Sequence, residues 1–150
     1  MRENVVLRDV TADNRQAVTD LELAPDQHDL VASNADSLAE ARTDPDARPR
    51  AIYADGCVVG FLMYDAGRPS DDPREALIYR FMIDRKHQGA GYGRTALGKA
   101  LDEIRALPNV SRIFISYMPD NPVAKRFYAS FGFVEVGIDE DGEMIAELAL

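Results

Sequence analysis

Two groups of residues have types and spacing suited to chemistry. In Gln88-Gly89-Ala90-Gly91-Tyr92-Gly93, small residues stand at 89, 90, 91 and 93, between an extended apolar run and a helical one. Such a loop brings backbone N–H groups close to an anion with no side chain in the way, and the start of the following helix adds roughly half a positive charge at the same place. A pyrophosphate fits this description. So does a tight turn whose glycines only permit the backbone conformation. The second group is Tyr128, one residue past Phe127 in a helical pattern whose stripe is Ala124, Phe127 and Phe131. Its hydroxyl lies along the edge of that stripe, where a phenol is either an amphipathic boundary residue or a proton donor facing a cleft.

Other chemistries fit less well. A Walker loop requires Gly-x-x-x-x-Gly-Lys and then Ser or Thr, which is absent. Gly91-Tyr92-Gly93-Arg94-Thr95-Ala96 matches the Gly-x-Gly-x-x-Ala dinucleotide pattern, but too little chain follows it for a doubly wound half. One cysteine, Cys57, makes no intrachain disulfide; it opens an extended run and is expected to be buried. With only His28 and His87 beside it, no Cys/His cluster has zinc spacing, so no metal is expected.

Charge divides along the chain. The net charge of -9 argues against general nucleic-acid binding, which needs a basic footprint. Residues 20 to 46 hold eight acids against Arg42 alone, whereas residues 85 to 99 hold Arg85, Lys86, Arg94 and Lys99 with no acid. The pattern suits one region receiving an anion and another attracting a cation, or simply two solvated faces. No apolar run is long enough for a membrane helix and the start is too polar for a secretory signal, so the expected location is the cytoplasm.

The elements that would position these residues follow from periodicity. Length and composition suit one domain over 1–150. Asn4 to Thr11 reads as a strand, Asn14 to Leu23 as a short helix, and Pro25 to Arg42 as a second, amphipathic helix with Asp29, Asp36 and Glu40 on one face. Two strands, 50 to 54 and 57 to 64, join at Asp55-Gly56. A third, Ala76 to Ile83, leads into the glycine loop and a helix striped by Leu97, Leu101, Ile104 and Leu107. Arg112 to Tyr117 reads as a further strand, expected to be a parallel neighbour of 76 to 83 because a helix separates them. Asn121-Pro122 starts a short helix through Ser130, and strands at 133 to 136 and 144 to 148 close the chain.

Taken together, Gln88-x-x-Gly91-x-Gly93 after a strand, Asn121-Pro122, and Arg126-Phe127-Tyr128-x-x-Phe131-Gly132-Phe133 resemble the GNAT N-acetyltransferase superfamily. Leu23-Ala24-Pro25-Asp26-Gln27, Val31-Ala32-x-Asn34 and Ser37-Leu38-Ala39-Glu40-Ala41 further resemble bacterial spermine/spermidine (diamine) acetyltransferases. The resemblance implies an α/β (α+β) GNAT fold: a mixed, mostly antiparallel sheet of about six to seven strands flanked by about four helices and splayed between the fourth and fifth strands. It implies acetyl-CoA as cosubstrate, with Phe81, Met82 and Ile83 offering backbone to the acetyl and pantetheine portions. Gln88, Gly89, Ala90, Gly91, Tyr92, Gly93 and Arg94 would bind the pyrophosphate, Asn121 and Lys125 would flank the pantetheine, and Tyr128 would be the general acid.

The implied acceptor is a small cationic amine, a polyamine or diamine, attacking directly in a ternary complex. Glu22, Asp36 and Glu40 are the candidate carboxylates for binding it. An aminoglycoside-like or peptide amine, and an acyl-CoA sensor without turnover, are the alternatives. Some relatives carry a glutamate just before the phenylalanine of the fourth strand; this chain has Tyr79-Arg80 there, which leaves Glu75, Glu22 or a water chain to take the amine proton. A homodimer is expected from the resemblance alone.

Overall fold

The computed structural model describes residues 5–22, 34–67, 73–89 and 91–150. The elements are β1 (Val5–Asp9), α1 (Arg15–Thr19), α2 (Asn34–Ala41), β2 (Ala47–Ala54), β3 (Cys57–Asp65), β4 (Arg74–Ile83), α3 (Tyr92–Arg105), β5 (Val110–Tyr117), α4 (Pro122–Ala129), β6 (Val134–Ile138) and β7 (Met144–Ala149). A 3-10 turn, Arg85–His87, links β4 to the glycine loop. The strands form one sheet in the order β1-β2-β3-β4-β5-β7-β6, antiparallel except for the β4–β5 pair. This is the expected mixed, mostly antiparallel sheet.

Local chemistry accounts for the boundaries. Asp55 and Gly56 take φ of +52° and +85°, as a tight hairpin between right-twisted strands demands. β2 starts at Ala47, earlier than periodicity suggests, and contains Pro49. The proline is tolerated because pairing with β1 ends at Asp9↔Arg50, leaving Pro49 bonded only toward β3. The first helix is shorter than expected and ends at Thr19. Of the expected 25–42 helix, Asn34–Ala41 is seen as α2; the earlier part, with Pro25 and Asp29, and His28 lie outside the described residues. Cys57 does open β3, but it is exposed rather than buried, because it sits at the hairpin end of the strand.

Two apolar clusters flank the sheet. Ala96, Leu97, Ala100, Leu101 and Ile104 of α3 pack against Ile78, Ile113 and Ile115, with Phe127, Tyr128 and Phe131 joining at the margin. On the opposite face Val18 of α1 and Leu38 of α2 cover Ala51, Phe61, Met63 and Met82. Which β4 side chain meets which face is decided by a bulge. Met63 pairs with Arg80 but Tyr64 with Ile78, so β4 carries one extra residue. Ile78 therefore faces α3, whereas beyond the bulge Phe81 and Ile83 face α3 and Arg80 and Met82 face α1 and α2.

Gly60 fixes how closely β3 and β4 approach. A Cβ there would lie 2.5 Å from the Met82 carbonyl oxygen and 2.9 Å from Ile83 Cδ1. Gly60→Ala is expected to lower the melting temperature by roughly 3–10 °C, from overpacking of ~1–3 kcal/mol in a domain of this size. An unchanged Tm in thermal unfolding would contradict this reading.

Candidate active site

β4 and β5 separate partway along. Their parallel pairing runs from Arg74↔Val110 to Ile78↔Ile115 and stops, although β4 continues to Ile83 and β5 to Tyr117. Beyond it, Phe81–Ile83 remain paired with β3, and Ser116 and Tyr117 with β7. The edge of β4 facing β5 thus has backbone groups that the sheet does not use, and buried backbone groups need partners. A cavity of about 830 Å³ occupies the gap. Residues from both faces line it: Phe81, Ile83 and Phe127 from the α3 side, Arg80 and Met82 from the α2 side. It passes through the sheet plane.

The glycine loop borders one end. Gly89 and Gly91 both have φ of +84°, a conformation L side chains rarely adopt. Gly91 is the N-cap of α3 and supplies no side-chain cap. The first intrahelical bond at this end runs from Thr95 N–H to the Gly91 carbonyl, which leaves the N–H groups of the first turn, at Tyr92, Gly93 and Arg94, without intrahelical partners beside the cavity that these residues line. Gln88 lines it too, with Nε2 donating to the Ile83 carbonyl at 2.9 Å. Arg94 is held by its Nη2 donating to Ser130 Oγ at 2.8 Å, with the guanidinium 5.5 and 5.0 Å from the Phe127 and Phe131 ring centres. Ala90 lies outside the described residues.

Tyr128 is half-buried and also lines the cavity. Its ring stacks on Tyr117 at 5.6 Å and meets Phe127 and Phe133 edge-on at 5.2 and 6.0 Å, which fixes the ring on one line. No described residue hydrogen-bonds its hydroxyl, whereas that of Tyr117 donates to Glu135 at 2.7 Å. Burial, and then the neighbouring Tyr117, push the Tyr128 phenol well above its ordinary value. Asn121 lines the cavity and caps α4, its Oδ1 accepting from Ala124 N–H at 3.1 Å.

Other candidates lie elsewhere. Lys125 is exposed and 3.7 Å from Glu135, not among the lining residues. Glu22 is paired with Arg85 at 3.1 Å, and its N–H donates to Asp84 Oδ1. Glu40 and Glu75 line a separate shallow pocket. Asp36 is not among the residues lining the cavity, and its charge acts on Arg80, which is. Among the described residues, the carboxylates that line the cavity are Asp120 and Glu143. Burial, then Asp139 and Asp141, raise the Glu143 pKa, and oxygen atoms of these three acids come within 4.8 Å of one another. Nothing in helical periodicity points to Glu143; its signal is the Asp141-Gly142 turn, which sets it just before Met144, the partner of Tyr117.

A model of the Acetyltransferase (GNAT) family matches residues 9–133. The chain is 32% identical to the spermine/spermidine N(1)-acetyltransferase of Bacillus subtilis over 97% of its own length and 99% of that protein. Among solved structures it is similar to a variant of the spermidine N-acetyltransferase of Vibrio cholerae, with a TM-score of 0.79 at 20% identity over 98% of this chain and 94% of that one. The same enzyme in complex with CoA and spermine gives a TM-score of 0.74 at 19% identity, covering 99% and 95%.

Proposed function

This chain belongs to the acetyltransferase (GNAT) family and is an acetyl-CoA-dependent N-acetyltransferase, and on that premise we propose that its acceptor is a small polyamine such as spermidine or spermine. In this reading the glycine loop and the open first turn of α3 hold the pyrophosphate, and the unpaired edge of β4 at Phe81–Ile83 holds the thioester end. The neutral amine nitrogen attacks the thioester carbon; the N–C bond forms, the C–S bond breaks, Tyr128 gives its proton to the departing sulfur, and the proton shed by the nitrogen passes to water, from which the phenol is reprotonated. Burial raises the Tyr128 pKa, so the phenol still carries its proton at the pH where the amine attacks.

The observation that carries the acceptor class is Glu143. Crowded by Asp139 and Asp141 at the lining of the cavity, it is a carboxylate that gains from a neighbouring ammonium. Asp120 adds a second such group, while Glu22 and Glu40 contribute only to the field that draws a cation in. Glu143→Gln is expected to raise the KM for spermidine roughly 5- to 10-fold, the size of one partly exposed charge-assisted contact, with the KM for acetyl-CoA unchanged. Steady-state kinetics with both substrates varied tests this. A spermidine KM that does not move removes Glu143 from acceptor binding.

A further inference from the structure

Arg80 is the cavity-lining group whose surroundings leave a donor open. It is 4% exposed, yet it borders the cavity. Its Nε and Nη2 donate to Asn34 Oδ1 at 3.2 and 2.9 Å, and Nη1 is buried with no hydrogen-bond partner among the described residues. Asn34 is itself buried and fixed, its Nδ2 donating to the Val18 carbonyl at 2.9 Å and approaching Met82 Sδ at 3.7 Å. An arginine held from α2 in this way does not swing out to solvent. A charged donor left unpaired in the interior is expensive, and where it borders a ligand cavity an acceptor atom of the ligand can take the place that water holds in its absence.

The position of Arg80 says which ligand. The β4 bulge turns it toward α1 and α2, away from the glycine loop on the α3 side, so the atom it awaits belongs to the acceptor amine rather than to the nucleotide. It stands two residues past the last β4–β5 pair and directly before the Phe81–Ile83 edge that the proposal gives to the thioester, so in that reading the atom lies close to the reacting nitrogen. A polyamine has no oxygen, and its ammonium groups are donors that a guanidinium repels. A carbonyl or carboxylate oxygen on the carbon bearing the amine meets both requirements.

We propose that the acceptor half of the site contains an oxygen subsite at Arg80 Nη1, through which the enzyme also acetylates α-amino carbonyl compounds. The inference rests on the acetyl-transfer reading above but not on the polyamine one. The chemistry is the same: the α-nitrogen gains the acetyl group and loses a proton, and the sulfur leaves as the thiol.

A matched pair tests it. Cadaverine and lysinamide are the same five-carbon diamine without and with a carboxamide beside one amine; lysine supplies the carboxylate form. In the wild-type enzyme kcat/KM for lysinamide or lysine is expected to exceed that for cadaverine by about tenfold or more, with the acetyl group on the α-nitrogen by fragment mass spectrometry. Preference for lysine over lysinamide identifies a carboxylate as the natural group, and the reverse a neutral carbonyl. Arg80→Met is expected to collapse the ratio to within about twofold by lowering the oxygen-bearing substrates, and Arg80→Lys to restore part of it, with the KM for acetyl-CoA unchanged in both. Equal kcat/KM across the wild-type pair overturns the proposal, as does an Arg80→Met enzyme that loses both substrates alike while retaining its KM for acetyl-CoA. Spermidine turnover without any preference in the pair sinks the Arg80 subsite and leaves the polyamine reading standing; preference without spermidine turnover does the opposite.

Discussion

Tyr128→Phe is expected to lower kcat by roughly 10²- to 10³-fold while leaving the KM for acetyl-CoA within about threefold. The substitution removes one oxygen and keeps the ring, so the stack on Tyr117 and the edge contacts with Phe127 and Phe133 persist and α4 stays docked. What disappears is the proton that the proposed mechanism gives to the departing sulfur. The pH profile provides a second check. Burial raises the Tyr128 pKa above the ordinary tyrosine value near ~10, so the acid is lost only as pH rises beyond that value. Its neighbour Tyr117, pushed up to about 12, behaves likewise. Between pH 7 and 9.5, then, kcat of the wild-type enzyme should climb as the amine deprotonates and show no alkaline fall. Equal losses in kcat and in acetyl-CoA affinity would make Tyr128 a packing residue instead.

Gly91→Val is expected to raise the KM for acetyl-CoA by roughly 30- to 100-fold, with a smaller effect on kcat. Gly91 holds φ at +84°, which a β-branched residue reaches only with strain, and relieving that strain rotates the first N–H groups of α3. Those are the donors assigned to the pyrophosphate. Product inhibition by CoA should weaken by a similar factor, because CoA and acetyl-CoA share the diphosphate. An unchanged KM would mean that the loop serves only as a connection, the plainer of the two readings its sequence allows.

Much of the fold was legible because its signals are local. The Asp55-Gly56 hairpin, the stripe of α3 and the Asn121-Pro122 start of α4 each follow from residues within a few positions of one another, and each appears where expected. The gap between β4 and β5 was legible only through the family resemblance. Pairing stops at Ile78↔Ile115, a relation between segments far apart in sequence. The β4 bulge was invisible for the same reason: it reverses the alternation after Ile78, and so decides that Arg80, not Phe81, meets the α2 face.

The site divides the same way. The glycine loop and Tyr128 announce themselves by spacing, and the structure sets both on one cavity. The acidic segment drew attention by its charge, but charge density does not reveal direction; Glu22 faces Arg85 and Glu40 a different pocket. Glu143 was hidden because a turn acid before a short strand looks like any solvated one. Only the pairing of Met144 with Tyr117 brings it beside the cavity.

The most direct measurement is release of free CoA thiol from acetyl-CoA by the purified protein, offered spermidine, spermine, putrescine, an aminoglycoside or a basic peptide, with the products identified by mass. The account predicts saturable turnover with spermidine or spermine, one acetyl group gained per thiol released. Tight acetyl-CoA binding with no turnover on any of these amines would contradict it.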